Sequence, residues 1–111
     1  MSKSERVKGA EGEREVARIY RARGFDVDRV PNSGGLRIKG DLHGDVPEHI
    51  EVKRQEVLRP WLWIAQAESE ARDMPWVVVF RRNGSSWYAL TTLERHVALV
   101  ECHRTLYDGP R

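Results

Sequence analysis

The chain has 111 residues, of which 40% are hydrophobic and 32% charged, and its formal net charge is +2. This length allows one domain with a single modest core, and the weak net charge excludes nucleic-acid binding through a global positive field. One cysteine, Cys102, excludes an internal disulfide and a multi-cysteine zinc site. No apolar run approaches the ~20 residues that span a membrane, and the polar amino terminus lacks a secretion signal, so we expect a cytoplasmic or nucleoid-associated protein.

The first predicted element is an amphipathic helix from Ser4 to Arg23, which Gly24 ends. At about 100° per residue, its apolar residues form one arc, which comprises Ala10, Val16, Ala17, Ile19 and Tyr20. Glu13 falls inside this arc, where a carboxylate is costly unless something pairs with it. The helix therefore gives a first indication that Glu13 belongs to a site.

The residues from Phe25 to Val30 alternate between apolar and polar, which predicts the first strand. Residues 31–40 follow with three glycines, a proline and two cations, and they read as a loop. This loop has neither the G-x-x-x-x-G-K-[ST] nor the G-x-G-x-x-G spacing of phosphate-binding loops. We therefore expect no nucleotide cofactor.

A hairpin from Asp41 to Lys53 contains the residues with the clearest chemistry. In a strand, Ile50 and Val52 face one way while Glu51 and Lys53 face the other. Asp41 would arrive from the neighbouring strand, which ends at Gly44. Two carboxylates and a lysine on one side of a hairpin suit a hard divalent cation and an attacking water.

The second half of the chain predicts a helix that begins at Pro60 and runs to Arg72, with an apolar stripe of Trp63, Ile64, Ala67, Ala71 and Met74. A central strand follows at 76–80, and an Asn83-Gly84 turn joins it to a strand at 87–90. Thr92 caps a last helix through about Glu101, and we expect residues from 103 onward to form a poorly ordered or partner-dependent tail.

In order and spacing, a set of short motifs resembles the archaeal-type Holliday junction resolvases of the PD-(D/E)XK nuclease superfamily. The motifs are Lys8-Gly9-Ala10, Glu13-Arg14-Glu15, Gly24-Phe25, Arg29, Ser33-Gly34, Asp41 and Glu51-Val52-Lys53. The resemblance spans about residues 7 to 90. It implies an α/β, restriction-endonuclease-like fold, with a central mixed five-stranded sheet flanked by helices.

The resemblance also implies a site. Its catalytic residues would be Glu13, Asp41, Glu51, Lys53 and the loop serine Ser33. Mg²⁺, with Mn²⁺ as a substitute, would be held by Asp41, Glu51 and the Val52 carbonyl, with Glu13 as an additional contact. The family's proline before Asp41 is replaced by Gly40. The helix that carries Gln66 is closer to the glutamine helix of exonuclease-like relatives, which bears on junction specificity rather than on nuclease chemistry.

The expected partners are DNA and a second copy of the chain. Phosphate contacts are expected from cations that surround the carboxylates in sequence, namely Arg14, Arg29, Arg37, Lys39 and Arg54, with Gln66 in addition. The resemblance implies a homodimer that cuts a four-way junction with paired nicks. Trp61, off the core stripe, and the Trp87-Tyr88 strand could form its apolar interface. A viral origin is compatible with the sequence, and no membrane association is expected.

Other interpretations remain open at this stage. The same site would serve another repair or restriction-type endonuclease, and the fold would also serve a DNA-binding module without catalysis. Taken alone, Glu51 and Lys53 are typical of an exposed ion pair on a sheet. Asp41 also fits the start of a turn, and Glu13 fits the edge of a helix. His43 and His49 lack a partner at metal-ligand spacing and fit the surface of strands, but His49 shares a face with Glu51 and could contact DNA.

Overall fold

The computed structural model describes residues 2–30 and 41–108. Helices and strands follow one another in the predicted order: α1 (Lys3–Ala22), β1 (Val27–Arg29), β2 (Leu42–Gly44), β3 (His49–Arg54), α2 (Pro60–Ala71), β4 (Trp76–Arg81), β5 (Tyr88–Leu90) and α3 (Leu93–Asp108). The ends of the helices have the expected chemistry. Ser2 and Glu5 form a reciprocal capping box at the start of α1, and Pro60 is the first residue of α2. At the start of α3, the Thr92 hydroxyl accepts a hydrogen bond from the Arg95 amide.

The strands form one five-stranded sheet in the order β1-β2-β3-β4-β5. Neighbouring strands are antiparallel except β3 and β4, which are parallel and are joined through α2. Parallel neighbours need such a crossover connection, since a tight turn can join only antiparallel strands. The fold is therefore α/β with a mixed sheet flanked by helices, consistent with the predicted restriction-endonuclease-like fold.

Two apolar clusters cover the two faces of the sheet. On the α1 face, Val16 and Ala17 pack with a cluster of strand residues that comprises Val27, Leu42, Ile50, Val52, Val77 and Val79. On the opposite face, α2 contributes Trp63, Ala67 and Ala71 to a cluster with Trp76 and Val78. Alternation along β3 and β4 sends successive residues to opposite faces, so both strands are buried on both sides. The predicted central strand at 76–80 is confirmed, and its first residue, Trp76, lies in the core.

Some boundaries differ from the prediction. Helix α2 ends at Ala71, so Met74 is 48% exposed rather than part of the apolar stripe. Ile19, placed on the apolar arc of α1, is also half exposed. Helix α3 continues to Asp108, beyond the predicted end near Glu101. Across residues 2–30 and 41–108, no helix is both long and apolar enough to cross a membrane.

Candidate active site

The chemically informative side chains lie along β3. Every second residue from His49 onward, that is His49, Glu51 and Lys53, lies on one face of the strand, and Ile50 and Val52 lie on the opposite face. Ile50 and Val52 belong to the α1 cluster, which places His49, Glu51 and Lys53 on the side that α2 covers. The same alternation that builds the core therefore brings an imidazole, a carboxylate and an amine beneath one helix.

Asp41 is fixed to this strand through its backbone and through its side chain. Its amide donates to the Ile50 carbonyl at 3.0 Å, in line with the pairing of Leu42 and Ile50. Its carboxylate Oδ2 accepts the backbone N–H of Val52 at 2.6 Å. Asp41 and the Glu51-Val52-Lys53 segment are thus held side by side, as the sequence predicted.

Glu51 is the most enclosed carboxylate among the described residues, with only 1% of its surface exposed. Its Oε1 lies 2.7 Å from Nε2 of His49. Burial raises the pKa of Glu51 well above its ordinary value of 4.5, and the neighbouring Glu70 and Asp41 carboxyl groups raise it further. This burial overturns the interpretation of Glu51 and Lys53 as an exposed ion pair.

Glu13 reaches the same region from α1. Its carboxylate accepts a hydrogen bond from Nε of Arg29 at 3.3 Å, and its side chain is 18% exposed. Burial and the Asp41 carboxylate raise the pKa of Glu13, while Arg29 opposes the shift. Arg29 provides the cation that a partly buried Glu13 requires.

Lys53 is engaged by α2. Its Nζ donates to the side-chain Oε1 of Gln66 at 2.7 Å, and both groups are partly buried. The glutamine therefore fixes the position of the ammonium group. The lysine and Gln66, singled out separately in the sequence, form one unit.

Two residues of this cluster were not predicted correctly from the sequence. His49 is 7% exposed, so its assignment to the strand surface was wrong. Glu70, which was not considered, lies 3.6 Å from Nε2 of His49. One ligand atom from each of His49, Glu51 and Glu70 lies within 4.8 Å of the others. A signal was available, because Gln66 and Glu70 are one helical turn apart on α2 and share a face.

The predicted DNA contacts fall in different places. Arg14 and Arg29 line one surface cleft with Arg21, His43 and Asp28. Arg54 lies on the α1 side of β3, where its Nε is 3.7 Å from Glu15 and only 13% of its side chain is exposed. The remaining predicted site residues, Ser33, Arg37 and Lys39, lie outside the described residues.

Chemically, the cluster is suited to a divalent cation. Asp41 and Glu51 offer carboxylate oxygens, which Mg²⁺ and Mn²⁺ prefer, and further acids stand close by. Several carboxylates gathered at a buried strand repel one another when ionised, and a bound cation removes that repulsion. The donor set therefore fits the metal that the resemblance implies.

Comparison with protein families supports the same interpretation. Residues 4–105 match the model of a family described as "Phage putative PDDEXK endonuclease". Searches of curated proteins and of solved structures gave no significant match. The matched segment includes every described element from α1 through most of α3, and with it the whole acidic cluster. The chain therefore belongs to this phage PDDEXK endonuclease family.

Proposed function

We propose that the protein is a divalent-metal-dependent endodeoxyribonuclease that uses Mg²⁺, with Mn²⁺ as a substitute. The observation that carries this proposal is the joint placement of Asp41, Glu51 and Lys53. Asp41 is hydrogen-bonded to the Val52 amide, and Glu51 and Lys53 flank that residue on one face of β3. Membership in an endonuclease family gives independent support, and the phage in its description supports a viral origin.

Each residue has a role in this proposal. Asp41, Glu51 and the Val52 carbonyl would hold the cation, and Glu13 would add a contact or a hydrogen bond. When bound, the cation supplies an activated water and neutralises charge on the phosphate. Lys53, held by Gln66, would orient the water or offset negative charge. Ser33 would approach the scissile phosphate from the loop.

The proposed DNA path runs along the cleft that contains Arg14 and Arg29. Three arginines and a histidine line this cleft, in which Arg21 is paired with Asp28 and Arg29 with Glu13. Such a local cationic surface can bind phosphates even though the whole chain carries only +2. Arg37 and Lys39, which lie outside the described residues, are proposed as further phosphate contacts on the basis of the sequence. Arg54 would contribute less to phosphate binding than Arg14, because it is largely buried against Glu15.

For the substrate, we propose a four-way DNA junction, which a homodimer would resolve by paired nicks. This choice rests on the motif resemblance. Another repair or restriction-type endonuclease would use the same residues, so the substrate must be tested directly. A binding module without catalysis would have no need for the acids and the lysine together.

The test uses labelled four-way junctions, flaps and linear duplexes with Mg²⁺ or Mn²⁺. Wild type should cleave, and both Asp41→Asn and Glu51→Gln should abolish cleavage. Glu11→Gln, which changes an exposed acid on α1, should cleave as wild type does. Absence of cleavage by wild type, or unimpaired cleavage by the two site variants, would refute the proposal. Equal cutting of flaps or duplexes would refute only the junction specificity.

The dimer is tested separately. Trp61 is 81% exposed and Tyr88 is 56% exposed, so both have apolar surface available to a second copy. We expect Trp61→Asp to reduce the mass measured by light scattering from that of a dimer to that of a monomer. An unchanged dimer would remove Trp61 from the interface, and a monomeric wild type would refute the dimer.

A further inference from the structure

We propose that His49 is a positioning residue, which orients the Glu51 carboxylate for binding the divalent cation. This inference rests on the proposed function of the site, because it assumes that Glu51 is a metal ligand. It adds a residue that neither the motif resemblance nor the family match assigns a role.

The first observation is the location of the imidazole. His49 begins β3, where its amide donates to the Pro75 carbonyl at 2.8 Å. Its side chain is only 6% exposed and faces the helix that carries Glu70. A polar ring in this position requires hydrogen-bond partners, because burying it without them costs free energy.

The second observation is the contact itself. Nε2 of His49 lies 2.7 Å from Oε1 of Glu51, whose side chain is 2% exposed. A hydrogen bond in a site from which water is excluded is strong and directional. It restricts rotation of the carboxylate, which still has unused acceptor positions for a cation.

The third observation concerns the ring nitrogen that faces the acids. The same nitrogen that contacts Glu51 lies 3.6 Å from Glu70, and the ligand atoms of all three residues lie within 4.8 Å of one another. In this arrangement Nε2 is occupied by its hydrogen bond to Glu51, so we assign His49 an action on the cation through Glu51 rather than as a ligand. In metal sites, removal of partners that orient the ligands lowers metal affinity or activity by roughly 10- to 100-fold.

The experiment measures Mn²⁺ binding in the absence of DNA, from the electron paramagnetic resonance signal of the free ion. His49→Phe keeps a ring of similar size but has no hydrogen-bonding nitrogen, and we expect its Kd for Mn²⁺ to rise about 10- to 100-fold. His49→Gln restores a nitrogen near Nε2 and should recover most of the affinity. His96→Phe makes the same change at an exposed position of α3 and should bind as wild type does.

The outcomes also separate this inference from the proposed function. Wild type that binds no Mn²⁺ would refute the metal-dependent function itself, and with it the role of His49. Wild type that binds and cleaves, together with a folded His49→Phe of unchanged Mn²⁺ affinity, would refute only the positioning role. If His49→Phe does not fold in thermal melts, His49→Asn replaces it, since its shorter side chain cannot place nitrogen at Nε2. Affinity equal to that of wild type would then refute the role.

Discussion

Replacing Glu51 with glutamine should stabilise the metal-free protein even though it removes the proposed activity. Glu51 is almost fully buried, and burial together with Glu70 and Asp41 raises its pKa above the ordinary value of 4.5. In the folded protein, the carboxyl group therefore retains its proton at pH values where the unfolded chain has released it. Glutamine has nearly the same shape and no charge, so it avoids this penalty.

The direction and size of the effect follow from proton linkage. Where the folded state binds more protons than the unfolded state, stability falls as pH rises, by up to about 1.4 kcal/mol per pH unit for one group. For Glu51 this loss begins near its unfolded pKa and continues until pH reaches the raised folded pKa. Between pH 5 and 7, the stability of Glu51→Gln relative to wild type should therefore increase by up to roughly 3 kcal/mol.

The assay is urea denaturation of both proteins in EDTA at pH 5, 6, 7 and 8. Glu11→Gln, at an exposed position, reports the effect of removing one negative charge elsewhere. A difference between Glu51→Gln and wild type that stays constant or shrinks with rising pH would refute the reasoning. Adding Mg²⁺ should narrow the difference, because a ligand at 100 times its Kd stabilises the folded wild type that binds it by about 2.7 kcal/mol.

Two further predictions concern packing and the lysine. Gly12→Ala should lower the melting temperature, because its new Cβ would lie 2.9 Å from the Arg54 Cβ. Such overpacking costs about 1–3 kcal/mol, and the gain in helix propensity of ~1 kcal/mol does not offset it. In the control Gly9→Ala on the same helix, the added Cβ has no atom within 4 Å, so this change should raise the melting temperature. Equal shifts of the melting temperature in the two variants would contradict the packing argument. Gln66→Ala should lower kcat about tenfold at unchanged Mn²⁺ affinity, because it removes the 2.7 Å hydrogen bond that positions the Lys53 ammonium group. An unchanged single-turnover rate would contradict this positioning role of Gln66.

Much of this structure follows from patterns that act over a few residues. The alternation of β3 predicted that Ile50 and Val52 enter a core and that Glu51 and Lys53 share the other face, and both hold. The Thr92 cap is also local, and the structure confirms it. Asn83 and Gly84 do lie in a turn, which the Ser85 amide closes by donating to the Arg82 carbonyl, but the connection between β4 and β5 spans residues 82–87 rather than two residues. The order of the elements then predicted that the strand after Asp41 pairs with β3, and this pairing brings Asp41 beside the segment that contains Glu51.

The remainder depends on contacts between segments far apart in the chain. A polar strand residue such as His49 reads as exposed, unless the helix that covers it is known to bring a partner. That partner is Glu70, 21 positions later, and its role depends on the rotation of α2 about its own axis. The exposure of Met74 has a similar origin, because the apolar pattern continues past the residue where α2 ends.

Helix α2 has more than a packing role in the candidate site. Its contacts to β3 lie on both sides of Glu51, since Gln66 holds Lys53 at 2.7 Å and Glu70 lies 3.6 Å from His49. Gln66 and Glu70 lie one turn apart on one face of α2, so the rotation of α2 places both groups at once. Asp41 approaches the same strand from β2 through the Val52 amide. His49 contacts the Glu51 carboxyl group directly and makes no other side-chain hydrogen bond that the described residues show. Loss of this contact should therefore loosen the Glu51 side chain without disrupting the sheet, so metal affinity is a more direct measure of His49 than stability.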